Sequence, residues 1–213
     1  MAGRAVSTDN RPTRVEAAVE RALSKQRDAA TREVEAILEA ALRVAERVAP
    51  AAPRVADIVA EAGTSNQAFY RYFTGKDDLM RAVFERGIDR VASYLDHQVG
   101  KHSDPRAQIE AWIRGVLTQV TDRRAARQSA AVNLQRGDRL DRRDGDSPAT
   151  LRAPLLAAVQ RLGSTDPDRD SAAIGELVFG RLNDHLRQSS APSPADCDHL
   201  VAFCLNAVAP TPR

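Results

Sequence analysis

The chain has 213 residues, enough for one large domain or two small ones, and a composition of 43% hydrophobic and 28% charged residues that is typical of soluble globular proteins. No apolar run approaches the roughly 20 residues that cross a bilayer, and the N-terminus lacks a signal-peptide core, so we expect a cytoplasmic protein with no membrane partner. Because the net charge is only +2, any nucleic-acid binding must come from a local basic surface.

Helical periods recur along the whole chain, whereas no alternating strand pattern occurs, so the sequence predicts an all-α fold with about nine to ten helices. The apolar stripe of the first helix is interrupted by the polar stretch 24–28, and Thr31 resembles the N-cap of a second helix with Glu33 in its first turn. After the polar residues 1–13, the predicted helices are 14–27, 31–48, 54–62, 65–73, 77–97, 104–121, 123–136, 148–162, 168–188 and 194–208.

The stretch 62–79, AGTSNQAFYRYFTGKDDL, concentrates aromatic, amide and basic side chains. Four of the eight Phe and Tyr residues of the chain lie within residues 69–73. A hydrophobic core needs Phe69 and Phe73, which are four residues apart on one side of a helix, but it does not need the polar residues around them. Since Gly63 ends the preceding helix, the pattern predicts a helix-turn-helix whose short second helix enters a DNA major groove.

The polar side chains of this second helix match hydrogen-bonding groups of DNA. Asn66 and Gln67 can bond adenine, Arg71 can bond guanine, and Ala68 can touch a thymine methyl group. Tyrosine hydroxyls and Lys76 can reach phosphates; a phosphate would offset the unfavourable position of this lysine at a helix start, although a solvated lysine fits equally well. The candidate DNA-contacting residues are Arg54, Thr64, Ser65, Asn66, Gln67, Ala68, Tyr70, Arg71, Tyr72 and Lys76.

Residues 31–95 resemble the DNA-binding head of the TetR family of transcriptional regulators. The chain departs from the family pattern at Thr64, where Val is usual. It also has Val55 and Ala56 where the family often places a Thr and a basic residue that contact DNA, which leaves Arg54 as the candidate for a backbone contact. The positions that carry the resemblance are Ala62, Gly63, Ser65, Phe69, Tyr70, Phe73, Lys76, Asp77 and Leu79.

The resemblance implies a homodimeric repressor that binds a palindromic operator in double-stranded DNA and is released from it by a small-molecule effector. The alternatives are a regulator that lacks an effector, and a helix-turn-helix protein with an architectural or interaction role. On this interpretation residues 1–30 are an N-terminal extension, 31–76 form the DNA-binding domain, and 77–213 form the dimerisation and ligand-binding domain, with helix 77–97 connecting the two.

The same resemblance implies that the last two long helices pair with their counterparts in a four-helix bundle. Their apolar stripes predict a dimer interface of Ile174, Leu177, Val178, Arg181, Leu182, His185, Leu200, Val201, Cys204, Leu205 and Val208. The resemblance also implies an effector pocket, although the side chains assigned to it would fit an ordinary hydrophobic core equally well. The scarcity of aromatic residues favours an apolar, aliphatic or acyl-type effector. These candidates are Trp112, Leu117, Leu134, Leu151, Leu155, Leu156 and Phe179.

The N-terminal extension has two parts with different expectations. Val15, Val19 and Leu23 give the predicted helix 14–27 an apolar side, which we expect to pack on the rest of the protein. Residues 1–13 are polar and basic, and they either reach DNA as a basic arm or have no such role.

Enzymatic residue patterns are missing from the sequence. The four His residues are scattered, and Cys197 and His199 are two residues apart, which would point them to different faces of a helix and make a poor metal pair. No glycine-rich phosphate loop or nucleophile motif occurs. We therefore expect no catalysis, no cofactor and no metal.

Overall fold

The structure is a computed structural model that describes residues 13–136 and 149–208, without the side chains of 132–136. The described residues form nine α-helices and no strand, so the predicted all-α fold is confirmed. The helices are α1 (Arg14–Val48), α2 (Val55–Ala62), α3 (Asn66–Tyr72), α4 (Lys76–Gly100), α5 (Pro105–Thr121), α6 (Arg123–Arg136), α7 (Ala149–Leu162), α8 (Pro167–Gln188) and α9 (Pro194–Ala207).

The starts of α5, α8 and α9 share one local chemistry. In each case an Asp or Ser side chain accepts a hydrogen bond from the backbone amide of the third helical residue, and proline occupies the first helical position. The cap satisfies an amide that would otherwise lack a partner, and proline suits this position because its missing N–H is not needed there. The capping residues are Asp104, Asp166 and Ser193.

The predicted break between helices 14–27 and 31–48 is wrong, because α1 is one helix of 35 residues. It begins with a capping box in which the Thr13 hydroxyl accepts from the Glu16 amide and the Glu16 carboxylate accepts from the Thr13 amide. Thr31 lies inside the helix and is not an N-cap. The polar stretch 24–28 contains good helix formers, so the interrupted stripe marks the end of burial and not the end of the helix.

The first of two hydrophobic clusters is formed by α1 to α4 together with Ala131 of α6, and we call α1 to α4 the head. Ile37, Ile58, Phe69 and Leu79 are fully buried there, one from each of the four helices. Glu61 of α2 ties the first two helices together, because its carboxylate accepts from Arg43 Nε at 2.8 Å and from Arg47 Nη1 at 3.0 Å.

The second hydrophobic cluster joins the end of α4 to α5, α7, α8 and α9, and we call this part the body. Trp112 of α5 is fully buried at its centre, where the indole N–H donates to the Leu151 carbonyl oxygen at 2.8 Å. The Phe179 ring meets the indole edge-on, with 5.6 Å between centroids. Gly115 lets α4 and α5 approach closely, since a Cβ atom there would lie 2.7 Å from Leu95 Cδ2.

The residues proposed for an effector pocket lie mainly within this body core. Trp112, Leu117, Leu151 and Leu155 are buried and packed against neighbouring helices. Phe179 and Leu156 are half-buried. Leu134 belongs to α6, and its side chain lies outside the described residues.

Six of the eleven residues proposed for the dimer interface are buried within one protomer. The reason is geometric: they recur at spacings of three, four or seven residues on the sides of α8 and α9 that face the body core. They therefore cannot supply an exposed contact surface, and this part of the prediction is wrong. The six residues are Ile174, Val178, Leu182, Val201, Cys204 and Val208.

The other five residues of that set are at or near the surface. Arg181 is exposed, whereas Leu177, His185, Leu200 and Leu205 are half-buried. The predicted stripes did not include Phe203, an aromatic residue on the outer side of α9 that is 56% exposed.

The expected packing of the N-terminal helix on the protein is also wrong. Val15, Val19 and Leu23 are 73%, 53% and 49% exposed. The predicted basic arm at 1–13 lies outside the described residues, except for Thr13. Within the described parts of the chain, no helix combines the length and hydropathy needed to cross a membrane.

Candidate nucleic-acid interface

The turn between α2 and α3 depends on one glycine conformation. Gly63 has φ +65°, in the left-handed region that glycine adopts without a steric cost. The Thr64 amide then donates to the Val59 carbonyl at 3.1 Å, which closes the end of α2. The Ser65 hydroxyl accepts from the Ala68 amide at 3.1 Å and starts α3. Ser65 thus positions the short helix through its cap.

One side of α3 is buried in the head. Phe69 is fully buried and Phe73 is 7% exposed, with 5.7 Å between the ring centroids. Ala68 is only 5% exposed, so the predicted contact between its methyl group and thymine is not compatible with this packing. The two benzyl groups anchor the helix and fix which of its sides faces solvent.

The opposite side of α3 is open. Asn66 and Gln67 are exposed, and their side-chain amides have no hydrogen-bond partner among the described residues. Tyr70 is 61% exposed, although its ring packs edge-on against Phe69 at 5.1 Å. The amides and the phenol hydroxyl are therefore free to bond base edges or phosphates in a groove.

The end of α3 is held by a residue that the sequence analysis did not assign to the site. The Glu33 carboxylate of α1 accepts from the Tyr72 hydroxyl at 2.7 Å and from the Thr64 hydroxyl at 3.3 Å. Arg71 Nη1 lies 3.4 Å from the same carboxylate, and its guanidinium carbon is 5.5 Å from the centroid of the Tyr72 ring. Glu33 thus fixes the orientation of three candidate DNA-contacting residues.

No sequence signal identified Glu33, because its role depends on α1 crossing the end of α3. Its charge also matters, since a carboxylate beside a DNA-facing surface would repel phosphates if it were not paired with Arg71.

The remaining cations of the candidate set lie at helix starts. Lys76 is the first residue of α4 and is half-buried, and Arg54 is the exposed N-cap residue of α2. Neither forms an ion pair with another described residue. Beside Lys76, the Asp78 carboxylate accepts from the Thr74 amide at 2.9 Å and from its hydroxyl at 3.1 Å, which lowers the pKa of Asp78 below its ordinary value.

This geometry agrees with a comparison of sequences. The model of bacterial regulatory proteins of the tetR family matches residues 37–83, which extend from α1 into α4 and include the whole helix-turn-helix. The resemblance to the TetR family is confirmed. TetR-family proteins are DNA-binding transcriptional regulators, and the head of this chain has their characteristic helix-turn-helix. Among curated proteins, none matches the chain in sequence.

Solved structures extend the likeness beyond the head. A transcriptional regulator from Rhodococcus sp. Rha1 is 17% identical, with a TM-score of 0.61 over 82% of this chain and 95% of that one. A TetR family transcription regulator from Marinobacter aquaeolei VT8 is 18% identical, with a TM-score of 0.53 over 86% and 97%. NalD of Pseudomonas aeruginosa, the secondary repressor of the MexAB-OprM multidrug efflux pump, is 20% identical, with a TM-score of 0.52 over 84% and 95%. At these identities the likeness shows a shared fold.

Proposed function

We propose that this TetR-like chain is a homodimeric, sequence-specific regulator that reads a palindromic operator with α3. The observation that carries the proposal is the division of α3 into two sides. Fully buried Phe69 holds one side in the head, while Asn66 and Gln67 extend from the other without a partner among the described residues. A seven-residue helix that is anchored this firmly and leaves its amides unpaired is suited to a groove.

The candidate contacts divide into two roles. Asn66 and Gln67 are proposed to bond adenine N6 and N7, which distinguishes base pairs in the major groove. Tyr70, Arg54 and Lys76 are proposed to contact phosphates, which fixes the register of the protein without reading sequence.

The side chains around Glu33 are assigned to positioning. Thr64, Arg71 and Tyr72 all bond this carboxylate, so they orient the end of α3. Arg71 is the least tightly held, at 3.4 Å, and it can turn to a base or phosphate with little loss.

We place the dimer interface on the outer sides of α8 and α9, in place of their buried stripes. Phe203 and half-buried Leu177 provide apolar contacts there. Around Gly180 there is open space at the helix surface, which would let a partner helix approach closely. A dimer would present two α3 helices to half-sites about 34 Å apart, one turn of the duplex.

Repression and release complete the proposal. An occupied operator blocks transcription sterically, and a small apolar or acyl-type effector bound within the body would favour a spacing of the two heads that fits DNA less well. NalD, a structural neighbour, is a repressor, which supports this direction. We infer a cytoplasmic regulator without catalytic activity; a regulator that lacks an effector and an architectural helix-turn-helix protein are the alternatives.

The test begins with selection of preferred duplexes from a random-sequence pool, followed by gel-shift titration of variants. Asn66→Ala or Gln67→Ala should each reduce discrimination between the preferred duplex and its single-base variants by about 1–3 kcal/mol, or roughly 5- to 150-fold. Lys76→Ala should weaken binding to all duplexes alike, because it removes a phosphate contact. Gln160→Ala, which removes an exposed amide from α7 outside the proposed dimer and DNA surfaces, is the matched control and should change neither property.

Two outcomes would contradict this proposal. If selection yields no preferred duplex although the protein binds DNA, the architectural alternative is favoured. If every α3 variant keeps the discrimination of the original protein, α3 does not read sequence.

A further inference from the structure

The first half of α1 extends away from the head beside the end of α3. From Arg14 to Arg32 all side chains are exposed except two half-buried alanines, and burial begins at Glu33. Glu33 lies 2.7 Å from the Tyr72 hydroxyl of α3. At 1.5 Å per residue the exposed segment is about 28 Å long, and it begins next to the residue that contacts the end of α3.

Four cations lie in a row along this segment. Arg14, Arg21, Lys25 and Arg32 are at positions i, i+7, i+11 and i+18, which share one side of an α-helix. All four are exposed, and none forms an ion pair with another described residue. Arg21 and Lys25 are also like charges at i, i+4, an arrangement that destabilises an isolated helix. We call these four residues the basic row.

The arginines in the second half of α1 are arranged differently. Arg43 and Arg47 both pair with Glu61 of α2. Their side chains are more than half exposed, so exposure alone does not leave an arginine on this helix without a partner. Exposure alone therefore does not explain why the cations of the basic row form no ion pairs with other described residues.

Acidic side chains of the same segment do not neutralise the row. Glu16 and Glu20 lie on another side of the helix, and Glu16 is engaged in the capping box with Thr13. Asp28 is closer to the row, between Lys25 and Arg32, but it forms no ion pair with any described residue. The apolar stripe at 15, 19 and 23 is roughly 140° around the axis from the row and does not interrupt it.

We propose that the basic row contacts the backbone phosphates of the duplex next to the half-site read by α3. The inference rests on the proposed function, because it needs a duplex on the exposed side of α3. From Arg14 to Arg32 the row spans about 27 Å, which corresponds to roughly eight base pairs of B-DNA. Exposed cations without acidic partners release counterions when they meet phosphates, so the row adds affinity and lengthens the contact without adding sequence discrimination.

The test compares two double variants that remove the same charge. Arg21→Gln/Lys25→Gln removes the middle of the row and keeps helix propensity, because Gln is a good helix former. Arg106→Gln/Arg169→Gln removes two exposed cations at the starts of α5 and α8 and serves as the control. Affinity for one preferred duplex with flanking sequence is measured over a range of salt concentrations, and far-UV circular dichroism checks that both variants remain helical.

We expect the row variant to have a slope of log affinity against log salt that is smaller by about 3.6, because two contacts at about 0.9 each are lost from each protomer of the dimer, and the control to keep the original slope. An unchanged slope for the row variant overturns the inference while leaving the proposed function intact. If the unmodified protein binds no duplex, the proposed function itself fails.

A footprint of the unmodified protein gives a second measurement that does not depend on any substitution. Cleavage by hydroxyl radicals should show protected backbone positions outside the two half-sites. Protection confined to the half-sites contradicts a phosphate contact by the row.

Discussion

The head and the body present the same type of amphipathic helix with different consequences. In α3 of the head, the apolar side is buried and the polar side carries the proposed function, so the pattern separates the two roles. In α9 of the body, three residues of the apolar stripe that suggested a dimer interface, Val201, Cys204 and Val208, are buried in the protomer, while Phe203 extends from the other side. The comparison teaches that periodicity identifies an apolar face but does not say which surface covers it.

The comparison is tested most strongly by two neighbouring aromatic residues of α3. Phe69→Ala should cost about 3–5 kcal/mol of folding free energy, because a fully buried ring leaves a cavity in the head. Tyr70→Ala should cost much less, since that ring is 61% exposed, but it should weaken DNA binding. Chemical denaturation and gel-shift titration measure the two effects, and equal losses of stability in both variants would contradict the assignment of the buried and exposed sides.

The structure shows why sequence could predict α3 but not all of its surroundings. Two phenylalanines four residues apart, next to a glycine turn, fix the local helix and its buried side through short-range geometry. Glu33 is 39 residues from its partner Tyr72, so its role depends on how α1 crosses α3, which no local pattern encodes. Ala68 was assigned to DNA because a small residue beside polar neighbours has no strong preference, and tertiary packing decided its burial.

The long helix α1 is a second case in which a local sequence pattern did not predict the tertiary structure. Loss of the apolar stripe at residues 24–28 was read as a helix end, whereas it marks the place where the helix extends away from the head. Propensity and capping at Thr13 decide where this helix begins, and burial does not.

In the body, the corresponding pair lies on α9, and a smaller effect is expected. Val201→Ala should cost about 1–3 kcal/mol of folding free energy, because Val201 is 5% exposed within the protomer core. Phe203→Ala should leave the stability of the protomer nearly unchanged and weaken dimerisation about tenfold or more, as expected for an aromatic interface residue. Denaturation of the protomer and sedimentation over a concentration series separate the two quantities.

The opposite result for this pair would change the proposed interface. If Val201→Ala dissociates the dimer without a loss of protomer stability, the buried stripe and not the outer side is the contact surface. If neither variant alters the association, the dimer interface lies elsewhere.

The smallest predicted effect concerns the ion pairs that join α1 to α2 in the head. Hydrogen bonds from Arg43, and then from Arg47, lower the pKa of Glu61 below its ordinary value of about 4.3. A lowered pKa means that the Glu61 carboxylate binds a proton more readily in the unfolded chain than in the folded protein. The stabilisation is therefore present above about pH 4.3, and it is lost as the pH falls through the lowered pKa of the folded protein. Since both ion pairs lie at the surface of the head, with arginine side chains that are more than half exposed, this contribution is small, and it weakens further with added salt.

Glu61→Gln should therefore lower the melting temperature slightly at pH 7 and have a smaller effect below about pH 4, where the carboxylate of the original protein becomes protonated. Glu85→Gln, at an exposed position of α4 outside any described ion pair, is the control and should leave the acid profile unchanged. Parallel thermal melts from pH 7 to about pH 3 at low salt make the comparison. If Glu61→Gln lowers the melting temperature equally at both ends of this range, the side chain stabilises the α1–α2 contact through its shape and hydrogen bonding, and its charge is not responsible.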